Sequence, residues 1–369
     1  SPRTAAQLPI PQQWSPYSPY FPVAYAPPAG CQIQVNIIQR HGARFPTSGA
    51  ATRIQAAVAK LQSATDPKLD FLNTYLGDDL VPFGAQSSQA GQEAFTRYSL
   101  VSDNLPFVRA SGSDRVVDSA TNWTAGFAAS NTPLVILSEG NDTLDDNMCP
   151  AGDSDPQNWL AVFAPPITAR LNAAAPGANL TDDANLLCPF ETVSESFCDL
   201  FEPEEFAFYG DLDKFYGTGY GQPLGPVQGV GYINELLARL TQAVRDNTQT
   251  NRTLDSSPTF PLNRTFYADF SHDNQMVAIF SAMGLFNQSA PLDPSPDPNR
   301  TWVTSKLVPF SARMVVERLC GTVRVLVNDA VQPLEFCGGD DGCTLDAFVE
   351  SQYAREDGQG DFEKCFATP

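Results

Sequence analysis

Only two histidines occur in the 369 residues, His41 and His272, and both sit in strings of charged and small polar residues. His41 lies in Arg40-His41-Gly42-Ala43-Arg44-Phe45-Pro46-Thr47, and His272 in Ser271-His272-Asp273-Asn274. Two arginines flanking a histidine present planar, permanently charged donors that match a tetrahedral oxyanion such as phosphate. A histidine held among arginines is disfavoured as a cation, so its neutral imidazole can attack phosphorus. Gly42 lets the backbone approach closely, and Pro46 stiffens the exit of the loop. The His-Asp pair adds a second donor and a carboxyl group that can protonate a leaving alkoxide. For work in acid, Asp273 need only keep a proton affinity at, or slightly above, the ordinary value. A lone Arg-His-Gly reads as a solvated loop and a lone His-Asp as a turn or helix cap. The length of the first string and its partnership with the second point instead to chemistry.

Other chemistries find less support. Two histidines and paired cysteines leave few nitrogen or sulfur ligands for zinc. The arginines already supply the charge neutralisation that a carboxylate-held magnesium would bring, so neither a metal nor a cofactor is expected. No GxGxxG, Walker or GxSxG motif is present, which removes the support for nucleotide and serine-hydrolase readings.

The two strings follow elements that must position them. A β-branched run, Ile33, Val35, Ile37 and Ile38, stops abruptly at Arg40, and the run Phe266–Phe270 stops at Ser271. Each reads as a buried strand opening into a loop. Ligands of open α/β sheets bind outside the carboxyl ends of such strands, so the two histidines are expected to face each other across one cleft. Further strands are predicted at 107–110, 134–137, 314–319 and 323–327, the last two joined at Gly321. Near-continuous apolar runs imply coverage on both faces. Helical spacing appears at Ile54, Val58 and Leu61, and at Ile233, Leu236, Leu237, Leu240 and Val244. Strands alternating with helices define an α/β fold.

A single core seldom grows beyond about 250 to 300 residues, so two units are expected. Residues 1–49, 105–147 and 255–369 are assigned to a discontinuous α/β domain carrying the site. Residues 50–104 and 148–254 are assigned to a largely helical cap over its active edge. Eight prolines in residues 1–30 argue for a non-helical arm lying extended on the surface and packed through Trp14, Tyr20 and Phe21.

Lys and Arg total 22 against 42 Asp and Glu, a net charge of −20, which disfavours nucleic acid and anionic membranes as partners. No stretch approaches the roughly 18 to 20 apolar residues of a membrane helix, and the start lacks a signal-peptide pattern, so the chain reads as soluble and processed. Eight cysteines accompany Asn-x-Ser/Thr sequons at Asn122, Asn141, Asn179, Asn251, Asn263, Asn287 and Asn299. Together they predict a secreted, extracellular glycoprotein carrying N-linked glycans. Spacing alone leaves the cystine pattern open, with Cys188–Cys198 and Cys337–Cys343 the shortest loops to close.

At these strings the sequence resembles the histidine acid phosphatase family, whose motifs R-H-G-x-R-x-P and H-D are both intact. The likeness extends through RASGSDRVVDSATNWTAGF, GQPLGPVQGVGYINELLARLT, TLDSSPTFPLNRTFYADFSHDN and VRVLVNDAVQPLEFCGG to the secreted fungal phytases, nearest the basidiomycete, 6-phytase-like group. It covers the chain from about Gln7 to Phe366. The resemblance implies a histidine phosphatase fold: a large α/β domain with a mixed, mostly parallel central sheet flanked by helices, and a smaller all-helical domain. It implies a phosphoric monoester hydrolase acting on myo-inositol hexakisphosphate (phytate) through a phosphohistidine, in a monomer. His41 would be the nucleophile and Asp273 the proton donor. Arg40, Arg44, Arg115 and His272 would bind the phosphate, with Thr47 adding a hydroxyl contact. Arg53 and Lys214 would be rim cations for the non-reacting phosphates, although Ala50, Ala51 and Thr52 make this rim less basic than in some relatives. The resemblance further implies the disulfides Cys31–Cys320, Cys149–Cys365, Cys188–Cys198 and Cys337–Cys343. A broad-specificity phosphatase of the same fold is the alternative, and a catalytically retired phosphate-binding glycoprotein a third reading. A phosphoglycerate-mutase-like transferase, being intracellular, fits poorly with sequons and paired cysteines.

Overall fold

A computed structural model describes residues 12, 15–45, 47, 52, 87–98, 105–127, 133–137, 142–151, 159–174, 179, 181, 203–244, 260–287, 290–295, 297, 300–353 and 361–366. Among them an 8-stranded sheet runs in the order β3-β2-β4-β1-β5-β6-β7, with β8 also paired to β6. The strands are β1 (Gln32–Arg40), β2 (Phe107–Ala110), β3 (Leu134–Ile136), β4 (Phe266–Ser271), β5 (Arg313–Leu319), β6 (Thr322–Val327), β7 (Ala330–Val331) and β8 (Cys343–Thr344). β1, β2, β3 and β4 run parallel, β5 is antiparallel to β1, and β6 returns to the common direction. The sheet is thus mixed and mostly parallel, as expected. Gly321, at φ +117°, makes the tight β5–β6 turn with a conformation that other residues rarely adopt.

The apolar runs are buried on both faces because alternate residues serve two cores. Val35, Ile37, Phe266, Ala268, Phe270 and Val315 face one cluster, which includes Val116, Ala120 and Trp123 of α2 (Asp114–Gly126) and Phe127 just after it. Ile38, Met314, Val316, Val323 and Val325 face the other. That second cluster includes α3 (Leu160–Ala174), α4 (Pro203–Gly217), α5 (Val230–Thr241) and α6 (Asp273–Met283), and receives α7 (Leu345–Tyr353) at its edge. Among the described residues between 148 and 254 there are helices and no strand.

Two helices from the segments 50–104 and 148–254 pack against the sheet. α1 (Ser87–Arg97) contributes Ala94 to the first cluster. A Cβ on its Gly91 would lie 2.0 Å from the Trp123 carbonyl oxygen of α2, so glycine permits the close crossing. α5 ends at Thr241, short of Val244. It joins the sheet through an ion cluster: Arg109 of β2 contacts Asp269 of β4 at 2.7 Å and Glu235 of α5 at 2.6 Å, and Arg239 of α5 contacts Asp269 at 2.5 Å. All four side chains are fully buried. The periodicity read for α5 marks its buried face without telling what covers it. The helix predicted around Ile54, Val58 and Leu61 lies outside the described residues.

The described residues of the N-terminal arm include a 3-10 turn, Ser15–Tyr17, a departure from the expectation of no helix. Tyr20 donates to Asp329 at 2.6 Å and Phe21 is half-buried, while Trp14 lies outside the described residues. Cys31–Cys320, Cys149–Cys365 and Cys337–Cys343 are bonded, and the remaining pair, Cys188 and Cys198, lies outside. Asn179, Asn263 and Asn287 are exposed and Asn122 is half-buried on α2. Asn141, Asn251 and Asn299 lie outside the described residues. No helix among the described residues is long and apolar enough to cross a membrane.

Candidate active site

β1 and β4 pair in parallel with Arg40 opposite Ser271, so the residues that follow each strand emerge side by side. The His41 amide donates to the Ser271 carbonyl at 3.0 Å. The two imidazoles stand edge to face with ring centroids 5.7 Å apart, as their places after two buried strands implied. Both are buried, His41 to 1% and His272 to 6% exposure.

The protons on these rings follow from their partners. His41 Nδ1 lies 2.8 Å from the Gly42 carbonyl oxygen, which only accepts, so Nδ1 carries the proton and Nε2 the lone pair. Burial, then the charges of Arg40 and Arg44, hold His41 well below the ordinary histidine range, and it is neutral in mild acid. Arg115 Nη2 donates to His272 Nδ1 at 3.2 Å, leaving the His272 proton on Nε2, which faces Ser113 Oγ at 3.5 Å and Asp145 Oδ1 at 3.8 Å. Burial and Arg115 lower His272 to about 4.

Arg40 is fully buried. Its Nη1 donates to the Val308 carbonyl at 2.7 Å and to that of Pro16, its Nη2 lies 3.3 Å from Asp273 Oδ2, and its guanidinium stacks 4.5 Å from the centre of the Phe310 ring. The N-terminal arm therefore reaches into the site. Arg44 is half-buried and donates to the Phe45 carbonyl at 2.8 Å. The loop is tied to α2 by Ser119, whose Oγ accepts the Gly42 amide at 2.9 Å and donates to the Arg115 carbonyl at 2.7 Å. Arg115 thereby joins the cluster from the first turn of α2. Thr47 is half-buried at the end of the loop. Arg53 lies outside the described residues.

Lys214 of α4 lies within the site: its side chain is 10% exposed, and Nζ sits 3.0 Å from Asp273 Oδ2, 3.4 Å from Asp213 and 2.6 Å from Asn274 Oδ1. One expectation is corrected here, since Asp273 does not keep an ordinary proton affinity. Burial alone would raise it, but Arg40 and Lys214 together hold its carboxyl well below the usual carboxylate range. It begins α6, with His272 as the extended N-cap residue, where the helix dipole also favours the anion.

Sequence reasoning missed Pro16, Val308 and Phe310, which wall in Arg40, and the acidic loop 142–148, whose Asp145 approaches His272. Nothing in their local sequence marks the first three. The loop carries only a sequon and three acidic residues.

Fold and cluster together define a histidine-centred oxyanion site at the carboxyl ends of adjacent parallel strands. Residues 33–328 match the family model of the histidine phosphatase superfamily, branch 2, and the chain belongs to that family. Among curated proteins it is similar to Phytase A of Aspergillus awamori, 40% identical with 96% of this chain and 90% of that protein covered. Phytase A of Aspergillus terreus is 41% identical over the same shares. The fold matches the crystal structure of the phytase from D. castellii with a TM-score of 0.73 at 21% identity, covering 97% of this chain and 88% of that one. It also matches the Bifidobacterium longum multiple inositol polyphosphate phosphatase in complex with inositol hexasulfate, with a TM-score of 0.62 at 13% identity, covering 95% and 99%.

Proposed function

We propose that this chain is a phytase, a phosphoric monoester hydrolase that releases phosphate from myo-inositol hexakisphosphate through a phosphohistidine on His41. The observation that carries the reading is the neutral His41 imidazole, its Nε2 lone pair free and the His272 ring 5.7 Å away among arginines. Full-length likeness to the Aspergillus Phytase A proteins supports the substrate.

Arg40, Arg44 and Arg115 hold the phosphoryl oxygens, with His272 as a further donor and Thr47 as a hydroxyl contact. The Nε2 lone pair attacks phosphorus in line, and the P–O bond to the inositol breaks as the Asp273 carboxyl delivers a proton to the departing oxygen. Asp273 is anionic in the empty site, so that proton must come with the substrate. A phosphomonoester with its second pKa near about 6 enters in acid largely as the singly protonated form. Its charge also draws Arg40 away from Asp273, which raises the proton affinity of the carboxyl. In the second half, the Asp273 carboxylate takes a proton from water, which attacks the phosphohistidine and frees His41. The contact of Arg40 with Asp273, 3.3 Å apart, is the one that an incoming phosphate would compete for.

The finer reading is a secreted, N-glycosylated monomer whose first cut falls at the 6-position, as the likeness to the basidiomycete group implies. Arg53 is assigned to the non-reacting phosphates. One observation favours the alternative of a broad-specificity phosphatase: Lys214, expected to serve the rim, is engaged with Asp273.

The test is phosphate release from phytate at pH 4 to 6 with chelator present, run beside p-nitrophenyl phosphate, for the native chain and His41→Ala. Phytate turnover that vanishes in the variant supports the proposal. Good p-nitrophenyl phosphate turnover with poor phytate turnover selects the broad phosphatase, and turnover of neither rejects an enzyme. NMR of the first pentakisphosphate fixes the position attacked.

A further inference from the structure

The loop 142–148 is held over the histidine pair by three side chains. Ser271 donates to the Leu144 carbonyl at 2.6 Å, Gln275 to the Thr143 carbonyl at 2.7 Å and Gln228 to the Asp145 carbonyl at 3.3 Å. Pinned in this way, the loop presents Asp145 Oδ1 3.8 Å from His272 Nε2, with 22% of the carboxylate side chain exposed. Asp145 Oδ1 also accepts the Asp146 amide at 2.9 Å, and Oδ2 accepts from Asn147 at 3.2 Å. A carboxyl in this place is unexpected beside a pocket built for phosphate, because its anion would compete for the Nε2 proton of His272 and repel the incoming charge.

We propose that Asp145 gates substrate binding by its protonation: the neutral carboxyl admits an anionic ester and the carboxylate excludes it, so that Asp145 sets the upper pH limit of binding. The inference rests on the reading of this pocket as the phosphate site.

The charges facing Asp145 favour such a gate. Asp146 and Asp142 share its loop, His272 faces it from the β4–α6 junction, and Arg115 of α2 lies behind His272, while Gln228 brings no charge. Burial and Asp146 push Asp145 up to about 7, whereas His272 is neutral above about 4. Between these values the pocket holds a neutral carboxyl beside a neutral imidazole. Above them a negative charge appears with no new cation to offset it. The group works through His272 and the local field, so it is a specificity-determining residue rather than a catalytic one.

The test uses myo-inositol hexasulfate, whose sulfate esters do not titrate in this range, as a competitive inhibitor from pH 4 to 8. For the native chain the inhibition constant should stay flat below about pH 6 and rise toward tenfold per pH unit above about 7. Asp145→Asn should keep tight inhibition to pH 8. Asp146→Asn, which removes a neighbouring negative charge, should move the rise to lower pH. A flat native profile, or an unchanged rise in Asp145→Asn, overturns the proposal. Absence of competitive inhibition at pH 5 in the native chain would instead reject the site reading on which it rests.

Discussion

His41 and Asp273 carry opposite demands, one to be neutral and the other to change charge within a turnover. His41→Ala should abolish phosphate release, since no other imidazole offers a lone pair in line. Asp273→Asn should slow alkyl phosphates by about 10² to 10⁴ and activated aryl phosphates much less, because a nitrophenolate leaves without a proton. Equal slowing of both in steady-state assays would remove Asp273 from that role. Lys214→Met withdraws one of two cations that hold Asp273 anionic, so the kcat/KM profile should move to higher pH. A uniform loss at every pH would return Lys214 to direct contact with substrate. Arg40, His41, Arg44, His272 and Asp273 were legible because each group is contiguous in sequence. Pro16, Phe310 and Asp145 were not, since their neighbours in space come from distant segments and their residue types are ordinary.

At the scale of elements, six of the eight strands were read nearly to the residue, helped in β1, β2 and β4 by apolar runs buried on both faces, whereas the two-residue β7 and β8 are too short to show a pattern. Of the described helices only α5 was read from periodicity, and the contacts of Glu235 on α5 and Ala94 on α1 with the sheet layer are relations that periodicity does not encode. The contact of α1 with α2 gives a direct check. Gly91→Ala puts a methyl into the Trp123 carbonyl, and should destabilise the protein by about 1 to 3 kcal/mol in chemical denaturation. Ser119→Ala leaves the Gly42 amide without its acceptor, at a cost of about 1 to 3 kcal/mol. It should lower kcat as well as Tm, because the same hydroxyl ties the His41 loop to Arg115.

For the whole molecule, the buried cluster of Arg109, Asp269, Arg239 and Glu235 joins β2, β4 and α5 beneath the histidine pair. Burial opposes the Asp269 anion, but Arg109 and Arg239 outweigh it and bring its carboxyl down from 3.8 to about 2. A lowered folded-state value contributes stability that is complete above the unfolded value and lost as pH falls through the folded one. The unfolding midpoint should therefore hold down to about pH 4 and fall between there and about pH 2. Arg109→Leu, which breaks the cluster from one side, should cost about 3 to 5 kcal/mol in denaturant unfolding at pH 5. The sequence offered no sign of this cluster, for its four charges are scattered over the chain and look like surface residues one by one.

The parallel pairing of β1 with β4, register Arg40 to Ser271, also governs when activity can arise. The nucleophile leaves the ribosome early, yet its strand finds its neighbour, and with it His272 and Asp273, only after most of the chain has followed. Long-range pairing of this kind forms more slowly than local contacts and cannot begin before β4 has been made. A chain cut before β4 carries the Arg-His-Gly string without His272 and Asp273, so activity on phosphate esters cannot arise until β4 has been made and paired with β1.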